Sequence, residues 1–495
     1  MSNVINYFKQ KKNKLSFVMI ISVIWAFIAH GMAMFNLFAF FDNASLFNIG
    51  ATYSLGRWFL GQLGWLTVYM TGSDLYSTPL FNTVLTMIFI GLSSYLISEI
   101  LNIENKVSLF LLSSIMIVFP VVTSTLGYMF TAPYYYLGVF MGILGIYLFI
   151  TNKKWYTFLI SSFLLSCSVG IYQANIPLYI GVILLCMINE LNDMDNPTFK
   201  DFLIKAVVYS SLCISMMIMY FGINNIALRL SGEYLSEYRG VNSFGITTIG
   251  GYISRIFVAY KEFISPTDNV SRNMYPFSIM KFYKLTLIVL FVLIAIYLID
   301  TFKKSKIKTI EMIILFILVP LASNFVYVMC DVSLIYSIMM NGQLVLYIFA
   351  IYMFDKLIIN NKYLNLLRYS MCLLLIVIIT LYSKFDNDCY LKAEVLQNEC
   401  ISYCTTLVTQ IKSLEGYNSD LKIVYLNESE KKDNSIPYLE EFDAIKIHPY
   451  HLNTLMNDYN WDKIMERQCG FKLEKGDYEK YQNNEEVKQM SVYPE

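Results

Sequence analysis

The residues Phe41 to Trp58 read FDNASLFNIGATYSLGRW, and they hold the side chains best placed to do chemistry. Asp42 and Asn43 follow directly on a long apolar run, and Arg57 and Trp58 come fifteen positions later. A carboxylate beside an apolar wall is suited to taking a proton from a hydroxyl. A guanidinium next to an amphipathic indole is suited to a phosphate at headgroup depth, because its planar fork of donors matches phosphate oxygens. The set reads as a catalytic base and a phosphate-binding group.

Three further turns carry amides and rings with little charge. They are residues 123–136, with Tyr128 and Tyr134 to Tyr136; residues 169–175, with Tyr172, Gln173 and Asn175; and residues 330–343, with Asp331, Asn341 and Gln343. Rings stack on sugar faces and amides bond hydroxyls, so these are candidate sugar contacts, with an interfacial aromatic belt as the competing explanation for the tyrosines. The segment 227–282 concentrates cations, including Arg229 and Arg239, and suggests either a local anionic ligand or a solvated loop of mixed charge. No phosphate-binding glycine loop, H-E-x-x-H or nucleophile elbow occurs. His448 and His451 stand three apart without an evident third ligand, which disfavours a metal site. His30, inside the first apolar run, is either a functional intramembrane group or a bond to a neighbouring helix.

Composition defines the scaffold that must position these residues. The 495 residues are 56% hydrophobic and only 15% charged, too apolar for a soluble chain of that length. A span takes about 20 mostly apolar residues. About eleven segments qualify: 17–40, 80–98, 107–122, 133–150, 156–170, 174–189, 203–224, 283–300, 310–329, 333–354 and 364–383. The expected fold is an all-α polytopic membrane bundle. With the N-terminus cytoplasmic, the short inner segments hold sixteen Lys and Arg, against Arg57 alone in the matching short outer loops. Eleven spans then leave loop 227–282 and the tail outside, and the lipid bilayer is one partner. No nucleic-acid partner is expected. The first run is too long, and lacks a clear cleavage site, for a removed signal peptide.

Residues 57–71 and 246–264 read as helices lying along the outer interface, with Trp58 and Trp65 as anchors. The outer loops 41–79 and 227–282 therefore belong to a membrane domain over 1–383. From 384 the chain changes character, with 21 acidic against 13 basic residues and no span. Helical spacing over 387–414, strands at 421–426, 444–447 and near FKLEKG, and a helix at HLNTLMNDY suggest a small extracytoplasmic α/β domain over 384–495. Its cysteines, Cys389, Cys400, Cys404 and Cys469, permit two disulfides in three connectivities or remain thiols.

A long first span, an acid just after it, S-x-G-R-W leading into an interfacial helix and a later Tyr-Gln at the outer end of a span resemble the bacterial O-antigen glucosyltransferase type II family. The resemblance covers roughly residues 15–380. It implies a GT-C-like membrane glycosyltransferase in the bacterial cytoplasmic membrane, with a polyprenyl-phosphate sugar donor and a cell-surface glycan acceptor. Carried over to this chain, Asp42 is the general base and Arg57 contacts the donor phosphate, with Arg229 and Arg239 as further phosphate candidates. Tyr172 and Gln173 line the sugar site, where Asn43, Trp58, Tyr128 and Asp331 are further candidates. Many such enzymes carry a pair of acids, whereas Asn43 follows Asp42 here, so Asp74 or Asp331 is the candidate second acid. Dependence on a divalent metal stays open, and no other cofactor is implied. A transporter of lipid-linked sugars would instead show midplane charge and internal repeats, and neither is evident. A non-catalytic envelope subunit is the third alternative.

Overall fold

The apolar runs are helices in the computed structural model, because backbone in lipid must satisfy its N–H and C=O groups within its own segment. The structure describes residues 2–38, 43, 49–152, 154–194, 197–237, 245–357, 362–424, 440–452, 461–472, 474–481 and 484–489. In chain order the helices are α1 (Ser2–Phe35), α2 (Trp58–Thr71), α3 (Pro79–Ile100), α4 (Lys106–Val118), α5 (Pro120–Leu126), α6 (Ala132–Thr151), α7 (Trp155–Ile171) and α8 (Ile176–Asn192). They continue as α9 (Phe199–Ser231), α10 (Ile249–Ile264), α11 (Asn269–Asn273), α12 (Ile279–Lys304), α13 (Lys306–Ser323), α14 (Val326–Met329), α15 (Leu344–Lys356) and α16 (Lys362–Ser413). Pro120 lacks the N–H that would continue α4, so it ends that helix and opens α5.

The molecule is an all-α polytopic bundle. Among the described residues nine helices are long and apolar enough to cross a membrane, against the eleven expected. Two expected spans miss that criterion for different reasons: α7 has 17 residues, and α13 carries Lys306, Lys308 and Glu311 near its start. The centre is formed by the spans Lys106–Leu126, Gln173–Asn192 and Ser337–Lys356, each with 89% of its apolar 18-residue stretch buried, against 22% in Phe199–Ser231. Outer helices leave apolar side chains such as Ile214, Ile218, Ile288 and Phe291 exposed, which costs nothing against lipid tails.

Polar bonds gather the turns at two ends of the bundle. At the lysine-rich end, Lys14 Nζ lies 2.8 Å from Glu99 Oε1, Lys308 Nζ donates to Asn192 O at 2.8 Å, and Lys356 Nζ donates to Asn102 O at 2.6 Å. At the opposite end, Gly245 N donates to Met329 O at 2.8 Å and Asn273 Nδ2 donates to Lys446 O at 3.0 Å. On that end α2 exposes Trp65, Tyr69 and Met70, and α10 exposes Ile249, Ile253 and Phe257.

The last span and the first tail helix are one element. No glycine or proline interrupts Lys362–Ser413, and the half beyond residue 383 still packs on the bundle. Asp386 is fully buried and accepts from Thr123 Oγ1 at 2.5 Å, and Asn387 Nδ2 donates to Ile28 O at 2.9 Å. His30 is a helix-to-helix bond: Nδ1 pairs with Tyr390 Oη at 2.8 Å and Nε2 with Ile117 O at 3.0 Å. Further on come β1 (Lys422–Ile423) and β2 (Glu474–Lys475), which pair in parallel, and α17 (Trp461–Cys469). Residues 444–447 are not a strand, and most of HLNTLMNDY lies outside the described residues. Among the described residues Cys389, Cys400, Cys404 and Cys469 form no disulfide.

Candidate active site

The site is built on residues 52–58, between the first span and α2. Tyr53–Leu55 make a 3-10 turn that Gly56 closes at φ +70°, a left-handed conformation that side chains resist. Gln173 Nε2 donates to Leu55 O at 2.7 Å and to Tyr220 Oη at 3.1 Å, and Tyr220 Oη donates to Gly56 O at 3.0 Å. A Cβ on Gly56 would stand 2.5 Å from Tyr220 Oη and 2.8 Å from Gln173 Nε2. From the segment after α9, Glu233 Oε2 accepts from Ser54 N at 2.9 Å, and Ser236 N donates to Ser54 O at 2.8 Å. The G-R-W and Tyr-Gln motifs, far apart in sequence, thus form one structural unit.

That unit presents Arg57. Its guanidinium carbon lies 5.4 Å from the Tyr172 ring centre and 5.9 Å from that of Tyr135, and the two rings stack 4.2 Å apart at 7°. The guanidinium thus stands beside the stacked pair, within cation–π range of both ring centres. Arg57 Nε is buried without a hydrogen-bond partner, and among the described residues no carboxylate pairs with the guanidinium. A buried donor left unpaired is costly, and an anion against this side chain would supply the missing acceptor. Leu60, Ile171 and Ala174 pack around the ring pair, with Ile338 and Met339 against them.

Trp58 is not an interfacial anchor. It is 6% exposed, and its ring fills the space above Gly170, where a Cβ would stand 2.5 Å from Trp58 Nε1. Its Nε1 also lacks a partner. Trp65, 62% exposed, keeps the surface position.

The remaining candidates divide. Asn43 is buried with its amide fully engaged: Nδ2 donates to Phe38 O at 3.1 Å and Gly127 O at 2.9 Å, and Oδ1 accepts from Met129 N at 3.0 Å. Tyr128 is half-buried, with Oη 3.2 Å from His448 Nδ1. Asp331 is exposed and caps a 3-10 turn, accepting from Ser333 Oγ at 2.7 Å and Ser333 N at 3.0 Å. Those bonds, with Arg255 nearby, hold its carboxyl below the usual range. Arg229 is exposed on α9, one position past the Tyr220, Asn224, Leu228 stripe that faces inward. Asp42 and Arg239 lie outside the described residues.

Other acids at this end serve the fold. Glu262 accepts from Thr267 N at 2.7 Å, Asp268 N at 2.9 Å and Ser271 Oγ at 3.0 Å, and Asp268 accepts from Tyr327 Oη at 3.1 Å. Sequence reasoning missed Tyr220 and Asn224, although their spacing with Leu228 marks an inward face. It also missed Asp386, whose Oδ2 is buried without a partner. A cavity of about 540 Å³ lies at the lysine-rich end, lined by Lys154, Trp155, Glu190, Lys205 and Tyr209, and holds none of the candidates. Among the described residues no three His, Cys, Asp or Glu side chains gather as a metal site.

Comparison with protein families gives a match to Glucosyl transferase GtrII over residues 31–347. Comparison with curated proteins gives no match, and none is found among solved structures. The matched range takes in Arg57, the Tyr135–Tyr172 pair, Gln173, Tyr220 and the turn 336–339, and it is well over half of the 495 residues. The chain therefore belongs to the Glucosyl transferase GtrII family.

Proposed function

We propose that this glucosyltransferase moves glucose from a polyprenyl-phosphate donor to a hydroxyl of a cell-surface glycan, on the extracytoplasmic face of a bacterial cytoplasmic membrane. The observation that supports this most is Arg57, a cation beside two stacked rings with a buried, unpartnered Nε. A lipid phosphate entering beside α2 would give that donor its acceptor, with Arg229 and Arg239 as further cations on the approach. The lysine-rich end then faces the cytoplasm, α7 and α13 also cross the bilayer to make eleven spans, and α2 and α10 lie along the outer leaflet. Residues 1–383 form the membrane part and 384–495 the extracytoplasmic part, bridged by α16.

In the reaction, Asp42 takes the proton from the acceptor hydroxyl, whose oxygen attacks the anomeric carbon. The bond from that carbon to the phosphate oxygen breaks, and polyprenyl phosphate leaves as an anion stabilised by Arg57, with inversion at carbon. Asn43 acts by pinning the backbone beside Asp42 to residues 127–129. Gln173 acts by holding the turn before Arg57, while Tyr172, Trp58, Tyr128 and Asp331 stand along the sugar path. Asp42→Asn tests the base. Transfer should fall by about 10² to 10⁴ while donor binding persists. Transfer at the wild-type rate would remove Asp42 from this role.

A further inference from the structure

We infer that residues 445–451 of the tail, beyond the range matched by the family, build an acceptor-glycan subsite whose central residue is His448; this rests on the glucosyltransferase reading above. The segment is part of the bundle end. Ile445, Ile447 and Tyr450 are buried, and Lys446 O accepts from Asn273 Nδ2 at 3.0 Å. His448 is fixed through its backbone: its N–H donates to Ser337 Oγ at 3.1 Å, and its carbonyl accepts from the same hydroxyl at 3.1 Å. Pro449 lies against Gly127 so closely that a Cβ there would stand 2.5 Å from Pro449 Cγ. The glycine and the tail fit each other.

This seating gathers four rings around His448, three of them stacked. His448 stacks on Tyr128 at 5.8 Å and 12° and on His451 at 4.9 Å and 20°, while Tyr336 leans against it at 4.6 Å and 51°. Tyr128, Tyr336 and His448 are half-buried and His451 is exposed, so the ring cluster reaches the surface at His451. A ring cluster that reaches the surface at an imidazole suits a pyranose, which offers C–H bonds from one face to the outermost ring and hydroxyls at its rim to the ring nitrogens.

The stack adjoins the Arg57 site through a single short turn. Tyr336 and Ser337 touch His448, while the next two residues, Ile338 and Met339, pack on the Tyr135–Tyr172 cluster that carries Arg57. Donor phosphate at Arg57 and a sugar on the His448 stack would thus occupy opposite sides of one turn. That is the arrangement an acceptor needs in order to present its hydroxyl to the donor.

The test uses the full chain in lipid nanodiscs, polyprenyl-phosphate glucose as donor and surface glycan extracted from the producing cells as acceptor. His448→Ala and, separately, Tyr336→Ala should raise the acceptor KM by about tenfold, the scale of one ring contact. Donor KM should change far less than acceptor KM, and His448→Phe, which keeps the ring without the imidazole nitrogens, should recover only part of the loss. An unchanged acceptor KM in either alanine variant, or an equal rise in donor KM, overturns the subsite while leaving the glucosyltransferase reading intact. If the wild-type chain neither transfers nor releases glucose, the donor reading fails and the subsite falls with it.

Discussion

Arg57 derives its position from its neighbours. The turn before it is closed by Gly56 at φ +70° and held by Gln173 and Tyr220, so each of these residues bears on where the guanidinium sits. Gly56→Ala combines left-handed strain of about 1–2 kcal/mol with a clash against Tyr220 and Gln173. It should displace Arg57 and raise the donor KM at least tenfold, an outcome steady-state kinetics can check; donor kinetics equal to wild type would separate the turn from the donor. Arg57→Lys should not restore function, because an ammonium lacks the planar fork and stacks less well on the Tyr135–Tyr172 pair. Much of this residue-scale picture was legible. Arg57, Tyr172 and Gln173 stand out as polar groups at the ends of apolar runs, and the fold brings the three together; Asp42, read in the same way, lies outside the described residues. What sequence could not convey is that Gln173 spends its amide on a backbone carbonyl, or that Asn43 is a cross-link to residues 127–129, since both depend on which turns meet.

At the scale of elements, helices were legible and their ends were not. Apolar runs must be helical in lipid, yet the run around Asp386 to Asp388 reads as the polar end of a span, whereas α16 continues through it. The helix continues because Asp386 and Tyr390 find partners in Thr123 and His30. The segment after α10 is held in the same way by one carboxylate. Burial acts to raise the Glu262 carboxyl, but hydrogen bonds from Thr267, Asp268 and Ser271 outweigh it and leave its pKa lowered. Stability from this group is therefore present above about pH 4.5, its ordinary value, and is lost as pH falls through the lower folded value. Thermal unfolding in detergent should show the melting temperature falling as the pH drops below about 4.5, and Glu262→Gln should flatten that fall while lowering the melting temperature at about pH 7. A variant with an unaltered pH profile would show that Glu262 adds nothing to the loop.

Across the whole molecule, the tail and the bundle share one core. Tyr390, Ile447 and Tyr450 are buried with residues of α1 and α4. Truncation after residue 383 should therefore yield aggregated protein by size exclusion rather than an active membrane fragment, and a monodisperse, active fragment would show the tail to be dispensable. The whole arrangement places turns with aromatic and amide groups at one end and lysines at the other, the asymmetry expected of a membrane protein with its lysine-rich end in the cytoplasm. The most direct measurement is transfer from radiolabelled polyprenyl-phosphate glucose to glycan in membranes carrying wild-type chain or Arg57→Ala at matched expression. Wild type should label the glycan, and Arg57→Ala should fall by about 10² to 10³, the scale of losing one charge-stabilising donor. Equal labelling by the two, or a wild-type chain that moves the lipid-linked sugar across the bilayer without transferring it, would contradict a glucosyltransferase built around Arg57.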